Sequence, residues 1–229
     1  MTSDADPPAP DPFDEHETAS EAEAGPEAVT RPEGVGFPVV GIGASAGGLR
    51  AFQAFFSALP PQPNMAFVLV QHLSPDHESQ LAELVQSQTQ LSVAQVEDHP
   101  VVQADHVYVI PPGKHLEIHD GELRLVDPDA DRGRPSAVDR FFRTLAEDMG
   151  DRAVAIVLSG TGSDGALGLK TVKERGGLTM VQDPAEADYD GMPRSAVATG
   201  LADVVGSASD LARMLIEVRV TADRIGLPS

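Results

Sequence analysis

The chain has 229 residues, enough for one domain or two small ones with a real core. Its 36 acidic and 16 basic side chains leave a net charge near −20, which argues against a nucleic-acid-binding face. Without cysteine it has no disulfide, thiolate metal site or thiol nucleophile, and no apolar run reaches the ~18 residues that would span a bilayer. The start, Met1-Thr2-Ser3-Asp4, lacks the basic and apolar regions of a signal peptide, so a cytoplasmic protein is expected.

Residues 1–34 hold ten acidic residues, one Arg and six Pro, and carry −9 of the net charge. Beyond Phe13 and Val29 they offer almost no large apolar side chain, so burial cannot offset their ordering entropy. A disordered acidic tail is expected over 1–34 and a single folded domain over 35–229.

From residue 35 short apolar runs alternate with amphipathic stretches. Phe37–Ile42 reads as a buried strand ending in glycines. Leu49, Phe52, Phe55, Phe56 and Leu59 follow at helical spacing and stop at Pro60-Pro61. Met65–Val70 is a second buried strand, and Leu81, Leu84 and Val85 mark a helix. Leu91–Val96 and His106–Ile110 read as strands. Leu116–Ile118 and Leu123–Val126 flank Asp120-Gly121, a hairpin turn. Val138, Phe141, Phe142, Leu145 and Met149 give a helix, Ala153–Leu158 a fully apolar strand, and Ala166–Arg175 a helix closed by Gly176-Gly177. Leu178–Val181 is a strand, and Leu211, Met214, Leu215 and Val218 lie on a C-terminal helix. Near-continuous apolar strands alternating with helices predict an α/β fold. The sheet is doubly wound and mostly parallel, with helices on both faces and an antiparallel hairpin near one edge.

Ligands of such sheets bind beyond the C-terminal strand ends, and three of these junctions stand out. Gly41-Ile42-Gly43-Ala44-Ser45-Ala46-Gly47-Gly48 admits three readings. It is a loose dinucleotide fingerprint with one residue too many and no acid about 20 positions on, a plain glycine-rich turn, or a Gly-x-Ser-x-Gly nucleophile elbow. In the last, amides at the following helix start face an oxyanion. His72 follows the second strand and is either structural or a general base. Asp164 is the one acid of Ser159-Gly160-Thr161-Gly162-Ser163-Asp164-Gly165, either an N-cap or the carboxylate of a triad. The order Ser, His, Asp differs from that of α/β-hydrolases. His115 and His119 lack a third ligand, so no metal is expected. Arg194, after Pro193, is a candidate for positioning an acidic substrate.

Together, Val40–Gly48, Gln71-His72, Val109-Ile110-Pro111-Pro112-Gly113, Ser159–Gly165 and Gln182-Asp183 with Gly191-Met192-Pro193-Arg194 resemble the catalytic domain of the CheB-type chemotaxis protein-glutamate methylesterases. The match runs in order over about residues 37–218. The resemblance implies Ser45 as nucleophile, His72 as base and Asp164 as its orienting carboxylate. It puts Ala46, Gly47 and Thr161 at the oxyanion, and Met192 and Arg194 on the substrate side. The implied substrate is a methylated chemoreceptor's cytoplasmic helices, with glutamine deamidation as a side activity; no cofactor and no membrane insertion are expected, and a monomer is the default expectation.

Three departures stand out. Ala46 replaces a frequent Thr and Thr161 a frequent Met, and the ~35 leading residues are too few for the family's usual receiver domain. A non-catalytic binding module on the same fold is the alternative. An acidic enzyme meeting an acidic receptor also leads us to expect local basic steering from Arg194, Arg50 or the Arg132/Arg134 loop.

Overall fold

The computed structural model describes Met1 and residues 35–71, 80–128 and 136–225, with side chains to 221. The fold lies within the unit Pro32–Ser229. The expected acidic tail, His72 and the Arg132/Arg134 loop lie outside the described residues.

Strand β1 (Val39–Ala44) pairs in parallel with β2 (Ala66–Gln71) over six residues and with β7 (Ala153–Val157) over five. Around this centre a seven-stranded parallel sheet runs β3 (Ser92–Gln95), β4 (His106–Val109), β2, β1, β7, β8 (Leu178–Gln182) and β9 (Val204–Gly206). The chain leaves β1 towards β2 on one side and returns later to β7 on the other. The crevice between β1 and β7 is therefore the topological switch point, where ligands of such sheets bind.

Buried on both faces, the strands read as continuous apolar runs, and their alternate residues serve two cores. On one face Val40, Ile42 and Ala44 of β1 meet α1 (Gly48–Ser57), α2 (Leu81–Gln86) and α6 (Ala208–Ile225). There Phe55, Phe56 and Phe67 stack edge to face, with centroids 5.4 to 6.2 Å apart. On the other face Val39 joins α3 (Ala137–Met149), α4 (Ala166–Glu174) and α5 (Gly191–Ala198).

Gly41 and Gly43 are glycines because α3 lies directly on them. A β-carbon at Gly41 would stand 2.9 Å from Phe141 Cε1, and one at Gly43 2.3 Å from Val138 Cγ1. Both glycines lie within β1 beneath α3, not in the strand-to-helix turn where a dinucleotide fingerprint needs them.

The hairpin forms, β5 (His115–His119) with β6 (Glu122–Val126), but as a two-stranded sheet of its own. Asp120 and Gly121, at φ 53° and 74°, make its turn. Three contacts pin it to α3. The Asp148 carboxylate accepts from the Asp120 and Gly121 amides at 2.7 and 2.9 Å, Thr144 Oγ1 accepts from the Ile118 amide at 3.3 Å, and Arg140 donates to Glu117 at 2.7 Å.

Candidate active site

Strand β1 runs on to Ala44, and Ser45 stands half-buried where the chain turns into α1. Its amide donates to the Ser159 carbonyl at 3.0 Å, and its carbonyl accepts from the Gly48 amide at 3.0 Å and from Gln71 Nε2 at 3.1 Å. The turn depends on Gly47, at φ 75°, where a β-carbon would stand 2.6 Å from Ser159 Oγ. Among the described residues no group accepts from the amides of Ala46 or Gly47. They lie at the start of a ten-residue helix whose first turn carries no acid of its own.

Behind the elbow, buried Ser159 knits the crevice together. Its hydroxyl donates to the Ala46 carbonyl at 3.0 Å and accepts from the Tyr189 amide at 3.0 Å, while its own amide donates to Gln182 Oε1 at 2.7 Å. Gln182 in turn donates to Glu186. A cleft of about 90 Å³ opens here, lined by Gly47, Arg50, Ala54, Ser159, Gln182 and Glu186.

Next to it, Gly160 is clasped by α5. Its amide donates to the Tyr189 carbonyl at 2.9 Å, and its carbonyl accepts from the Met192 amide at 2.8 Å. A β-carbon on Gly160 would lie 2.1 Å from Met192 Sδ and 3.0 Å from Ser45 Cβ, so Met192 is packed over the elbow. Met192 is 1% exposed, whereas Thr161 is exposed on the loop above. Arg194 is also exposed, and its Nε donates back at 2.5 Å to Asp190, the residue just before α5.

Asp164 lies at the end of the same β7–α4 loop, turned towards α3. Its carboxylate accepts from the amides of Val138 and Asp139 at 3.2 and 3.0 Å, and from the Ser136 hydroxyl. Ser136 holds the N-cap position of α3 yet makes no cap of its own, because Asp164 supplies the cap from another loop. Asp139 answers in the other direction, accepting from the Gly168 amide of α4 at 2.7 Å, and the Ser136 hydroxyl also reaches Asp139, at 3.2 Å. Burial pushes the Asp139 carboxyl above its ordinary range; the Gly168 amide works against that, and the Asp164 charge adds to it.

The crevice thus brings together Ser45, Ala46, Gly47 and Met192, with Asp164 on the loop that borders it and Arg194 turned aside. His72 directly follows Gln71, whose side chain bonds the elbow, but lies outside the described residues. Sequence reading missed Ser136 and Asp139. Their signal was there: Ser136-Ala137-Val138-Asp139 has the spacing of a capping box ahead of an apolar helix face.

Residues 40–215 match the family model described as CheB methylesterase. The chain belongs to the CheB methylesterase family. A relative in Leptospira interrogans, named a putative protein-glutamate methylesterase/protein-glutamine glutaminase, is 33% identical over 184 residues, covering 80% of this chain and 95% of the relative. In Anaeromyxobacter dehalogenans, protein-glutamate methylesterase/protein-glutamine glutaminase 2 is 37% identical over 181 residues, and there the match takes up 79% of this chain and 53% of the relative. The crystal structure of the Thermotoga maritima CheB methylesterase catalytic domain superposes with a TM-score of 0.72 at 31% identity, covering 80% of this chain and 98% of that one. The mostly parallel sheet with helices on both faces is thus the CheB catalytic fold, and the switch-point crevice lies within the matched stretch.

Proposed function

We propose that Ser45, His72 and Asp164 of this CheB-family chain hydrolyse γ-glutamyl methyl esters on the cytoplasmic helices of chemoreceptors. Family membership makes the chain a protein-glutamate methylesterase. The observation that carries the residue assignment is the β1–α1 elbow: a half-buried serine beside two amides that no described residue engages, at a helix start and at the switch point.

In this reading Ser45 Oγ attacks the ester carbonyl as His72 takes its proton, and the amides of Ala46 and Gly47 receive the oxyanion. The C–O bond breaks, methanol leaves with the proton from His72, and water hydrolyses the acyl-serine to free glutamate. Asp164 holds the imidazole tautomer and stabilises the imidazolium. Thr161 is exposed, so its contribution would come through its backbone amide, and Ala46 likewise acts without a side-chain donor. Met192, packed over Gly160, would bound the acyl pocket. Relatives that carry the glutaminase name suggest a second substrate, glutamine, which reaches the same acyl-serine by expelling ammonia. The amide is the poorer substrate because its leaving group is worse. No cofactor is needed, the chain would act as a monomer in the cytoplasm, and among the described residues no helix is long and apolar enough to cross a membrane.

The test is Ser45→Ala in the full chain, with methanol release from a methylated receptor fragment as the readout. Loss of at least about 10⁴-fold in turnover with an unchanged circular dichroism spectrum is expected. Turnover that survives the substitution would overturn the triad and favour a binding module on the same fold.

A further inference from the structure

Two helices in this structure cap each other across Asp164. Asp164 precedes α4 in sequence but caps α3, through the amides of Val138 and Asp139 and the hydroxyl of Ser136. Asp139 lies in the first turn of α3 but accepts from the Gly168 amide of α4 at 2.7 Å. The Ser136 hydroxyl touches both carboxylates. The contact is tight: a β-carbon on Gly168 would stand 2.6 Å from Phe142 Cβ and 3.2 Å from the Asp139 backbone.

A cap made in one direction would fix a helix. A cap made in both directions fixes the loop between them, and here that loop carries Asp164. We infer that Asp139 and Ser136 are positioning residues for Asp164, fixing the orientation of its carboxylate. This rests on the triad reading given above.

The arrangement places two carboxylates beside one hydroxyl, and that makes it more than a helix stop. The Asp164 charge acts on Asp139, and by reciprocity Asp139 acts on Asp164. Of the other charged groups near this pair on α3 and α4, Arg140 pairs with Glu117 at 2.7 Å and Lys170 with Glu174 at 3.7 Å, while Arg143, one turn along α3 from Asp139, is exposed to solvent. In the triad reading, a negative charge behind Asp164 would add to the field that favours the imidazolium of His72. Removing it should lower the imidazole pKa, so the base stays active at lower pH.

Three variants of the full chain test this, assayed on a synthetic peptide bearing a γ-glutamyl methyl ester. Asp139→Ala removes the acceptor for Gly168 and should lower kcat at least about tenfold with KM within about twofold. Asp139→Asn keeps an acceptor but not the charge. It should recover most of that loss and move the acid limb of kcat/KM down by about half a pH unit from the ordinary imidazole range. Ser136→Ala, which leaves both carboxylates, should cost about three- to tenfold in kcat. A helix stop alone would change the melting temperature and leave the acid limb where it is. Folded variants with kcat within about twofold of the parent and an unmoved limb overturn the inference. Asp164→Asn separates the two readings. If it is inactive while the Asp139 and Ser136 variants are normal, positioning fails and the triad stands; if it is fully active, the triad itself fails.

Discussion

Ser159 and Gly160 show how little room this site leaves at the scale of one side chain. Ser159 spends its hydroxyl on the backbone on both sides of the crevice, and Gly160 exists so that Met192 and Ser45 can meet above it. Gly160→Ala should therefore be a site variant before it is a stability variant. The methyl would displace Met192 Sδ or the elbow, at about 1–3 kcal/mol of strain. We expect kcat/KM to fall by at least about tenfold while the protein stays folded, and labelling of Ser45 by a fluorophosphonate to slow in parallel. Normal labelling would show that the loop can relax without moving Ser45. Ser45 was legible in the sequence because its signature is local: apolar strand, glycine, serine, glycine, helix. The burial of Met192 and the turning of Arg194 to Asp190 were not, since both follow from how α5 docks on Gly160.

Among the elements, the strands read most clearly and the fold class followed from them. Their ends were less legible. β1 extends to Ala44 because Gly43 and Ala44 still pair with Val70 and Gln71, and glycine hides that pairing from a propensity reading. Helix α5 went unread because Gly191 and Pro193 break its pattern, although a proline in a first turn forfeits no helical hydrogen bond. β9, three residues long, is too short for alternation to register. The hairpin stands apart because β4 already has neighbours on both sides, β3 and β2, so the chain leaving it finds no free edge there.

That hairpin depends on Arg140, 7% exposed, and its bond to Glu117. Burial pushes the Glu117 carboxyl up, but the bonds from His119 and Arg140 outweigh it and leave it below its ordinary 4.5. A depressed carboxylate contributes stability above its unfolded value and loses it as pH falls through the folded one. Arg140→Ala should cost about 2 kcal/mol near neutrality, less than the ~3–5 of a fully buried pair because Glu117 keeps 19% of its side chain exposed. Urea titration at neutral pH and below pH 4 checks both points: the gap between parent and variant should narrow at the lower pH. A constant gap would assign the loss to packing alone.

At the scale of the whole molecule, charge decides how a partner arrives. The chain is at −20, and the two arginines near the crevice that a steering patch would use are each met by an aspartate, Arg50 by Asp188 at 3.2 Å and Arg194 by Asp190 at 2.5 Å. Basic steering from either, expected from sequence, is therefore offset locally. An acidic receptor fragment should be processed faster as salt rises. Going from about 10 to 150 mM shrinks the screening length from roughly 30 to 8 Å, and kcat/KM should climb several-fold, while a neutral ester peptide shows no change. A falling rate would restore the steering patch.

The sheet order has one more consequence. Ser45 and the loop to Asp164 emerge from β1 and β7, and β1, buried along its whole length, is flanked by a strand on either side. These strands belong to the last part of such a fold to open, so the frame of the crevice shares the free energy of global unfolding. Wear at the periphery, a frayed α6 or a nicked surface loop, leaves that frame intact. Ageing of the enzyme would then appear as fewer working molecules, each as fast as before.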